Sequence, residues 1–232
     1  MTAAREYRNG AIIVAAGSGQ RMGGADKLLR PLDGRPLIAY SIAAFAASND
    51  VDRMVIVASL SNLDPITAIT AQLAPDARVV LGGARRQDSV RAGLDALDDV
   101  DYVIVHDGAR PLVNEIMIEA VLQGAIETGA AICAIPVNDT IKRASDDNLI
   151  AGTIDRRSLR QAQTPQAFRR DLLLRAHEQD DADATDDAAL IERLGEPVRL
   201  VPGSPRNIKV TTPDDLHVAE ALLQRAGARD EA

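Results

Sequence analysis

A short apolar run that breaks into glycine near residue 17 constrains the fold of this chain most. Ala11 to Ala16 is apolar and rich in β-branched residues, the pattern of a strand buried on both faces of a parallel sheet. The glycines that follow allow a tight turn and a close approach to a ligand; they are Gly17, Gly19, Gly23 and Gly24. The pattern predicts an α/β fold with a ligand at the end of its first strand.

Two cations distinguish this loop from a dinucleotide-binding turn. The dinucleotide fingerprint needs its third glycine where this chain has Met22, and no acidic residue ends a second strand about 20 residues further on. Arg21 and Lys27 could instead neutralise a triphosphate while backbone N–H groups hold its oxygens. The loop therefore favours a phosphate site. The alternative is a mobile surface loop with solvated cations.

Predicted strands and helices alternate as far as residue 135. This order is typical of a doubly wound, mainly parallel sheet with ligands at the carboxyl ends of its strands. A carboxylate at such an end, Asp107, follows its strand directly and could hold Mg²⁺, or it could cap a helix or pair with Arg110. The predicted strands are 11–16, 51–58, 77–81, 102–105 and 130–135, and the predicted helices are 36–47, 64–73, 87–97 and 115–128.

The pattern changes after Pro136. Two short β-like segments, 140–143 and 149–154, flank the turn signal Ser145-Asp-Asp-Asn148 and predict a β-hairpin arm at about 137–157. Two strands alone are marginal in water, so the arm must pack on a partner subunit or fold back on its own domain. The sequence leaves both possibilities open.

The remaining third of the chain returns to α/β signals. Thr164-Pro-Gln-Ala-Phe168 is predicted to lead into a helix from about 170 to 178, and Thr185 to cap a helix that ends at 194. Strands are expected at 197–201 and 207–210, before a last helix that runs from 213 to about 224. Without an internal repeat or a long linker, residues 1–232 are expected to form one domain carrying an arm.

Composition excludes several functional classes. The 232 residues carry a net charge of −8, with 2% aromatic residues and no Trp, so nucleic acid is not an expected partner. No apolar run reaches the length of a membrane span, and the lone Cys133 cannot form an internal disulfide; we expect a soluble cytoplasmic protein with a buried thiol. Signatures of serine hydrolases, CxxC redox proteins and P-loop enzymes are absent.

Further charged residues are ambiguous when taken one at a time. Lys209 falls in the predicted strand 207–210 and could face a ligand or solvent. The cluster of Arg156, Arg157 and Arg160 after the arm could hold an anionic substrate or form a solvated face. The histidines lack the spacing of metal ligands, and we expect structural or surface roles for His106, His177 and His217.

Several motifs follow one another along nearly the whole chain. They are Gly17-Ser-Gly-Gln-Arg-Met-Gly23 with Lys27, Gly82-Gly83 through Asp88-Ser89-Val90, His106-Asp-Gly-Ala-Arg-Pro111, Asp139-Thr-Ile-Lys-Arg143, Gln163-Thr-Pro-Gln166 and Asn207-Ile-Lys-Val-Thr-Thr-Pro-Asp-Asp215. Together they resemble the 2-C-methyl-D-erythritol 4-phosphate cytidylyltransferase family. The first loop alone occurs in many nucleotidyltransferases, and the later motifs make the resemblance specific.

The resemblance implies a nucleotidyltransferase-type Rossmann-like sheet with a protruding hairpin arm that forms a homodimer. The implied reaction joins CTP to 2-C-methyl-D-erythritol 4-phosphate with Mg²⁺, giving 4-diphosphocytidyl-2-C-methyl-D-erythritol and pyrophosphate for isoprenoid synthesis by the non-mevalonate route. The catalytic residues it implies are Arg21, Lys27 and Lys209. The implied CTP contacts are Ala15, Ala16, Gly17, Gly19, Gly83 and Ser89. The implied contacts to the polyol phosphate are Asp107, Thr140, Arg156, Thr164 and Thr185, with Asp107 also the metal ligand.

Two departures and two alternatives accompany this resemblance. Ala84 and Arg206 stand where some members carry acidic residues, so the outer pocket is less defined than the phosphate loop. A ribitol 5-phosphate cytidylyltransferase would share the first loop and the chemistry. From another class, a catalytically silent nucleotide-binding module would share the fold, although the chain retains Arg21, Lys27 and Lys209.

Overall fold

The computed structural model describes residues 7–17, 26–179 and 182–230. The strands are β1 Asn9–Ala15, β2 Pro31–Leu32, β3 Arg35–Pro36, β4 Arg53–Ala58, β5 Arg78–Leu81, β6 Tyr102–Asp107, β7 Ala130–Pro136, β8 Ile141–Ala144, β9 Ile150–Ile154, β10 Arg160–Arg169 and β11 Arg199–Pro202. The helices are α1 Leu37–Ala47, α2 Leu63–Leu73, α3 Arg86–Ala96, α4 Glu115–Thr128, α5 Arg170–Gln179, α6 Asp187–Arg193 and α7 Pro213–Asp230. Short 3₁₀ turns occur at Lys27–Leu29 and Arg156–Ser158.

Within the described residues, one sheet has seven strands in the order β11-β7-β10-β6-β1-β4-β5. Neighbouring strands are parallel except around β10, which is antiparallel to both β6 and β7. The predicted doubly wound, mainly parallel α/β fold is confirmed. Strands β1, β4, β5 and β6 point the same way, so their carboxyl ends share one edge of the sheet. From β1 the chain adds β4 and β5 on one side and then crosses to β6 on the other side of β1, and such a switch point is where α/β sheets bind ligands.

The central strand β1 is buried on both faces, as its sequence predicted. Ile13 packs into one core layer and Ile12 into the other, and each is 0% exposed. A polar side chain at either position would face a packed core without a partner, which explains the unbroken apolar run. Ala16 and Gly17 follow this strand at the carboxyl edge of the sheet.

Strand β10 is the main element that the sequence prediction missed. Residues 160–169 form a ten-residue strand in the interior of the sheet, where the prediction placed only a lead into α5. Its polar residues are typical of a loop, yet Gln163 is buried. The buried amide is satisfied because it donates to the carbonyl of Ser204 (2.9 Å) and accepts from the Ser204 N–H (3.1 Å). The register shifts between Ala162 and Gln166, so Pro165 needs no place in the ladder.

Three local predictions in the C-terminal part are corrected. Residues 207–210 are not a strand: the segment is irregular, and it is held by the Val210 N–H donating to the Ala109 carbonyl (2.8 Å). Thr185 does not cap α6, because Asp186 accepts the hydrogen bond from the Ala189 N–H (3.1 Å). Helix α7 runs on to Asp230, beyond the predicted end at residue 224.

Smaller corrections concern the ends of elements near the carboxyl edge. Strand β6 includes Asp107 as its last residue, whereas the prediction ended the strand before it. Helix α1 begins at Leu37, with Pro36 preceding it as the cap residue rather than its first helical residue. The Asp33-Gly34 turn is present between β2 and β3, and both residues have positive φ (46° and 79°).

The predicted hairpin arm is present as β8 and β9, an antiparallel pair with a sheet of its own. Its turn contains Asn148 in the left-handed region (φ 59°), which Asn tolerates better than most residues. Leu149 and Ile150 are 67% and 71% exposed. The arm leaves the main sheet after β7 and returns at the start of β10, where Arg160 pairs with Pro136.

The buried thiol expected from the sequence is confirmed. Cys133 is buried in β7, and burial raises the pKa of its thiol to about 12. Among the helices of the described residues, none is both long enough and apolar enough to cross a bilayer.

Candidate active site

A cavity of about 310 Å³ opens at the carboxyl edge of β1, β5 and β6. Its lining combines glycines that follow β1 and β5, Gly17 and Gly83, with charged side chains. Its lining residues are Val14, Ala16, Gly17, Lys27, Leu28, Gly83, Ala84, Arg85, Arg86, Ser89, Asp107, Ala109 and Lys209. A cavity lined by both glycines and cations can hold an anionic ligand through backbone N–H groups and through charge.

The loop between β5 and α3 is tightly closed around Gly83. A Cβ at this position would lie 2.4 Å from the Cβ of Asp88, so only glycine fits. The Asp88 carboxylate accepts from the Arg85 N–H (3.0 Å) and from its guanidinium (2.6 Å), and these hydrogen bonds lower the pKa of Asp88. Ser89 Oγ donates to the Arg85 carbonyl (3.1 Å). The loop is therefore fixed without help from a ligand.

Lys27 connects the first loop to the C-terminal segment. It lies in the 3₁₀ turn Lys27–Leu29, and its Nζ donates to the carbonyl of Val210 (3.1 Å). Leu28, 2% exposed, anchors the turn in the core. The ammonium group is thereby held at the cavity, which Lys209 also lines.

Asp107 lies between two cations at the end of β6. Its Oδ1 is 3.2 Å from Arg86 Nε, and its Oδ2 accepts from Lys209 Nζ at 2.7 Å. Burial alone would raise the pKa of Asp107, but the charges of Arg86 and Lys209 outweigh it and hold that pKa well below its usual range. Asp107 is therefore a carboxylate at neutral pH.

Arg86 has a second, deeper partner that the sequence did not reveal. Its Nη1 donates to Asp187 Oδ2 at 2.7 Å, and the Asp187 side chain is 1% exposed. Burial alone would lower the pKa of Arg86, but Asp187 and Asp107 raise it above its ordinary value. The signal available in the sequence was the pair Arg85-Arg86, one residue beyond Gly82-Gly83 at a strand-to-helix junction.

His106 is structural, as predicted, and its hydrogen bonds define its tautomer. A carbonyl only accepts, so His106 Nε2–H donates to the Arg110 carbonyl (3.1 Å). Nδ1 then accepts from the Thr164 hydroxyl (3.2 Å), and that hydroxyl accepts from the Asp107 N–H (3.0 Å). Burial lowers the pKa of His106 to about 4, so the ring is neutral at pH 7. The network ties β10 to the end of β6.

A second depression of about 200 Å³ adjoins the first cavity. Both include Arg86, Asp107 and Lys209 in their walls, so these three charged side chains lie where the two spaces meet. The lining residues of the second depression are Arg86, Asp107, Arg110, Ala162, Gln163, Thr164, Gln166, Thr185, Asp186 and Lys209. Two ligands could therefore occupy adjacent spaces with reacting groups that meet at shared charges.

The structure brings together most of the predicted site residues. The first cavity contains Ala16, Gly17, Lys27, Gly83, Ser89, Asp107 and Lys209, and the second contains Asp107, Thr164, Thr185 and Lys209. Ala15 is 0% exposed and lines neither space. Thr140 and Arg156 are exposed near the arm, also outside both walls, and the Arg156 guanidinium donates to the Asn138 carbonyl. Gly19 and Arg21 lie outside the described residues.

Few carboxylates are available for a metal ion. Within residues 7–17, 26–179 and 182–230, no cluster of three or more His, Cys, Asp or Glu side chains has the arrangement of a metal site. The carboxylates among the lining residues of the two spaces are Asp107 and Asp186. This donor set fits a cation that takes most of its ligands from substrate phosphates and water, as Mg²⁺ often does.

A mainly parallel α/β sheet with a glycine- and lysine-lined cavity beside a second, polar depression defines a nucleotidyltransferase-type protein. Comparison with known sequences specifies the class further. Residues 10–225 match the sequence profile of the 2-C-methyl-D-erythritol 4-phosphate cytidylyltransferase family (IspD), and the chain belongs to that family. As a member of this family, it is a cytidylyltransferase.

Individual relatives agree with this assignment. The chain is 41% identical over 218 residues to the 2-C-methyl-D-erythritol 4-phosphate cytidylyltransferase of Dehalococcoides mccartyi strain 195, covering 93% of this chain and 96% of that protein. It is 44% identical over 219 residues to the protein of the same name from Bacillus licheniformis, covering 92% and 94%.

Solved structures show the same fold. The 4-diphosphocytidyl-2C-methyl-D-erythritol synthase of Anaerococcus prevotii aligns with a TM-score of 0.84 at 31% identity, covering 94% of this chain and 99% of that one. The 2-C-methyl-D-erythritol 4-phosphate cytidylyltransferase of Thermus thermophilus aligns with a TM-score of 0.79 at 34% identity, covering 95% and 100%. The fold and family expected from the sequence motifs are confirmed.

Proposed function

We propose that this chain transfers the cytidylyl group of CTP to the phosphate of 2-C-methyl-D-erythritol 4-phosphate. A phosphate oxygen of the acceptor forms a bond to the α-phosphorus of CTP, and the bond from that phosphorus to the pyrophosphate oxygen breaks. The products are 4-diphosphocytidyl-2-C-methyl-D-erythritol and pyrophosphate. The observation that carries the proposal is the pair of adjacent spaces that share Arg86, Asp107 and Lys209.

The larger cavity is assigned to CTP. Lys27 and Arg21 would bind the triphosphate and stabilise charge at the α-phosphorus, where in-line attack concentrates negative charge. The closed 82–89 loop would recognise cytosine mainly through backbone groups, which suits a chain with 2% aromatic residues. The residues proposed for CTP are Ala15, Ala16, Gly17, Gly19, Gly83 and Ser89.

The smaller depression is assigned to the acceptor. Lys209 would stabilise the reacting phosphorus and place the acceptor phosphate, and no general base is needed because that phosphate is already ionised near neutral pH. Arg86, positioned by Asp187, adds positive charge where the two spaces meet. The residues proposed for polyol-phosphate contact are Asp107, Thr164 and Thr185, together with Thr140 and Arg156.

A divalent cation, Mg²⁺, is part of this proposal. Asp107 would hold it together with the substrate phosphates, because Asp107 is ionised and lines both spaces. Such a cation supplies neutralisation of the triphosphate and of charge developing in the reaction.

We also propose a cytoplasmic homodimer in which each arm packs on a partner subunit. The exposed Leu149 and Ile150 supply apolar surface that a single chain leaves in water. A partner's arm could bring its Thr140 and Arg156 toward the acceptor depression, which neither residue lines within its own chain. Size-exclusion chromatography with light scattering tests the dimer, and a monomer at micromolar concentration would contradict it.

The direct test is pyrophosphate release from CTP and Mg²⁺ with a panel of polyol phosphates. Release with 2-C-methyl-D-erythritol 4-phosphate is expected, at a kcat/KM well above that for ribitol 5-phosphate. Release with ribitol 5-phosphate alone would overturn the substrate, and no release with any acceptor would support a silent nucleotide-binding module. Lys209→Ala is the matched loss-of-function variant.

A further inference from the structure

Asn62 is a fully buried amide between the ends of two strands and the turn that carries Lys27. Its Nδ2 donates to the Ala15 carbonyl at the end of β1 (3.0 Å) and to the carboxylate of Asp26. Its Oδ1 accepts from the Ser59 N–H, just after β4 (2.8 Å). One side chain therefore links three segments that converge on the carboxyl edge of the sheet.

The position of Asn62 in the chain makes this use unusual. Asn62 is the cap residue of α2, where an Asn side chain normally accepts a hydrogen bond from the first helical turn. Here its side chain makes no such bond, and it points away from α2 toward β1 and Asp26. Helix α2 therefore lacks a side-chain cap, and the Asn62 side chain instead bonds to the segments that contain Ala15, Asp26 and Ser59.

Asp26 connects Asn62 to the backbone of the turn that contains Lys27. One carboxylate oxygen of Asp26 accepts from Asn62, and the other accepts from the Leu28 N–H (2.9 Å), which caps the 3₁₀ turn Lys27–Leu29. The Asp26 carbonyl also accepts from the Leu29 N–H (3.2 Å). The backbone from which the Lys27 side chain extends is thus fixed at Asp26, and Asp26 is fixed by Asn62.

We propose that Asn62, acting through Asp26, is a positioning residue for Lys27. The inference rests on the proposed function, in which Lys27 stabilises the triphosphate. A lysine is a point charge on a flexible stem, so its effect on the α-phosphorus depends on where its backbone is held. Displacements near 1 Å in such a site can cost about 10²-fold in rate.

The first variant is Asn62→Asp. It keeps an acceptor for the Ser59 N–H but replaces both donors with an oxygen that faces the Ala15 carbonyl and the Asp26 carboxylate. We expect kcat to fall by about 10- to 100-fold, with the KM for 2-C-methyl-D-erythritol 4-phosphate within about twofold of the wild type, since Asp107 and Lys209 are untouched. A kcat equal to that of the wild type would overturn the proposal.

Asp26→Asn is the second variant, because Asn62→Asp removes buried hydrogen bonds and could fail to fold. Leu28 and Asn62 donate to different oxygens of Asp26, and in Asn one of these becomes an NH₂ donor, so one of the two hydrogen bonds is lost and the same selective loss of kcat is expected. In the combined Asn62→Asp, Asp26→Asn protein, an amide donor at 26 again faces a carboxylate acceptor at 62. Partial recovery of kcat relative to the single variants supports the link, and a multiplied loss contradicts it.

Combination with Lys27→Ala separates positioning from general damage. If Asn62 acts through Lys27, adding Asn62→Asp to Lys27→Ala lowers kcat no further. A further loss as large as that seen with Asn62→Asp alone would mean that Asn62 acts independently of Lys27, and would overturn the proposal.

Asn114→Ala provides the matched control. Asn114 is the cap residue of α4, lines neither cavity, and makes the ordinary cap by accepting from the Met117 N–H (3.1 Å). This variant should lower the melting temperature and leave kcat unchanged. If the wild type itself releases no pyrophosphate, the proposed function fails; if the wild type is active and Asn62→Asp equals it, only the positioning role fails.

Discussion

Replacing Arg86 with Met should strongly destabilise the fold, because it leaves a buried carboxylate without its partner. Arg86 Nη1 lies 2.7 Å from Asp187 Oδ2, and the Asp187 side chain is 1% exposed. The other oxygen, Oδ1, has no hydrogen-bond partner within the described residues. Removing one member of such a pair typically costs about 3–5 kcal/mol. That loss is a large part of a domain's usual stability of about 5–15 kcal/mol.

A second ion pair on the same helix gives the control. Arg91 and Asp95 are 2.9 Å apart on α3, with side chains 38% and 58% exposed, so water already solvates both charges. Arg91→Gln should cost no more than about 0.5 kcal/mol. Because Arg, Met and Gln have similar helix propensities, the difference between the two variants reports burial of the ion pair rather than helix formation.

Urea unfolding followed by circular dichroism measures both effects. All proteins should be compared at one concentration, because association would shift the apparent free energy of unfolding. Adding Asp187→Leu to Arg86→Met removes the stranded charge and should recover at least about 2 kcal/mol. A loss below about 1 kcal/mol for Arg86→Met, or no recovery in the double variant, would refute the reasoning.

The remaining predictions concern single side chains. Lys27→Ala should lower kcat by at least about 10²-fold while the protein stays folded by circular dichroism; near-normal pyrophosphate release would contradict the assigned role. Thr164→Val leaves the Asp107 N–H and His106 Nδ1 unpaired and should cost about 2 kcal/mol in urea unfolding, whereas Thr164→Ser should resemble the wild type. Gly83→Ala forces a Cβ against Asp88 and should weaken CTP binding about tenfold by calorimetry. Burial lowers the pKa of His177 in the native protein. Below about pH 6.5 the unfolded chain therefore binds a proton that the native chain does not, and the free energy of unfolding decreases as the pH is lowered. His177→Gln should flatten the urea-unfolding free energy between about pH 7 and pH 5 relative to the wild type, and an unchanged slope would contradict this.

Strand β1 was predictable because its constraint is local. Burial on both faces favours the unbroken apolar run that its sequence shows from Ala11 onward. Strand β10 was not predictable in the same way. Its buried polar residues Gln163 and Gln166 are paired with Ser204 and Asp186, partners 41 and 20 residues away, which no short window can reveal.

The site residues likewise differ in whether local sequence reveals them. Lys27 could be found from the sequence because it belongs to the glycine-rich motif. The loop at Gly83 could be found because its glycines directly follow a predicted strand. The pair Arg86 and Asp187 is separated by 101 residues, and neither residue is unusual in its own segment. Lys209 lines the cavity, but the predicted strand at 207–210 that was to carry it is absent. Its segment is held by the contacts of Arg110 and Ala109 instead of by a ladder.

The pairing of Arg160 with Pro136 has a consequence for how this protein can change. The arm begins and ends at two residues that already face each other across an antiparallel ladder. Residues 137–159 can therefore be exchanged for a tight turn without altering the register of any other strand. The shortened chain would keep the sheet and the cavity at the ends of β1, β5 and β6 while lacking Thr140 and Arg156. If the proposed dimer forms through the arm, this one deletion would separate self-association from nucleotide binding.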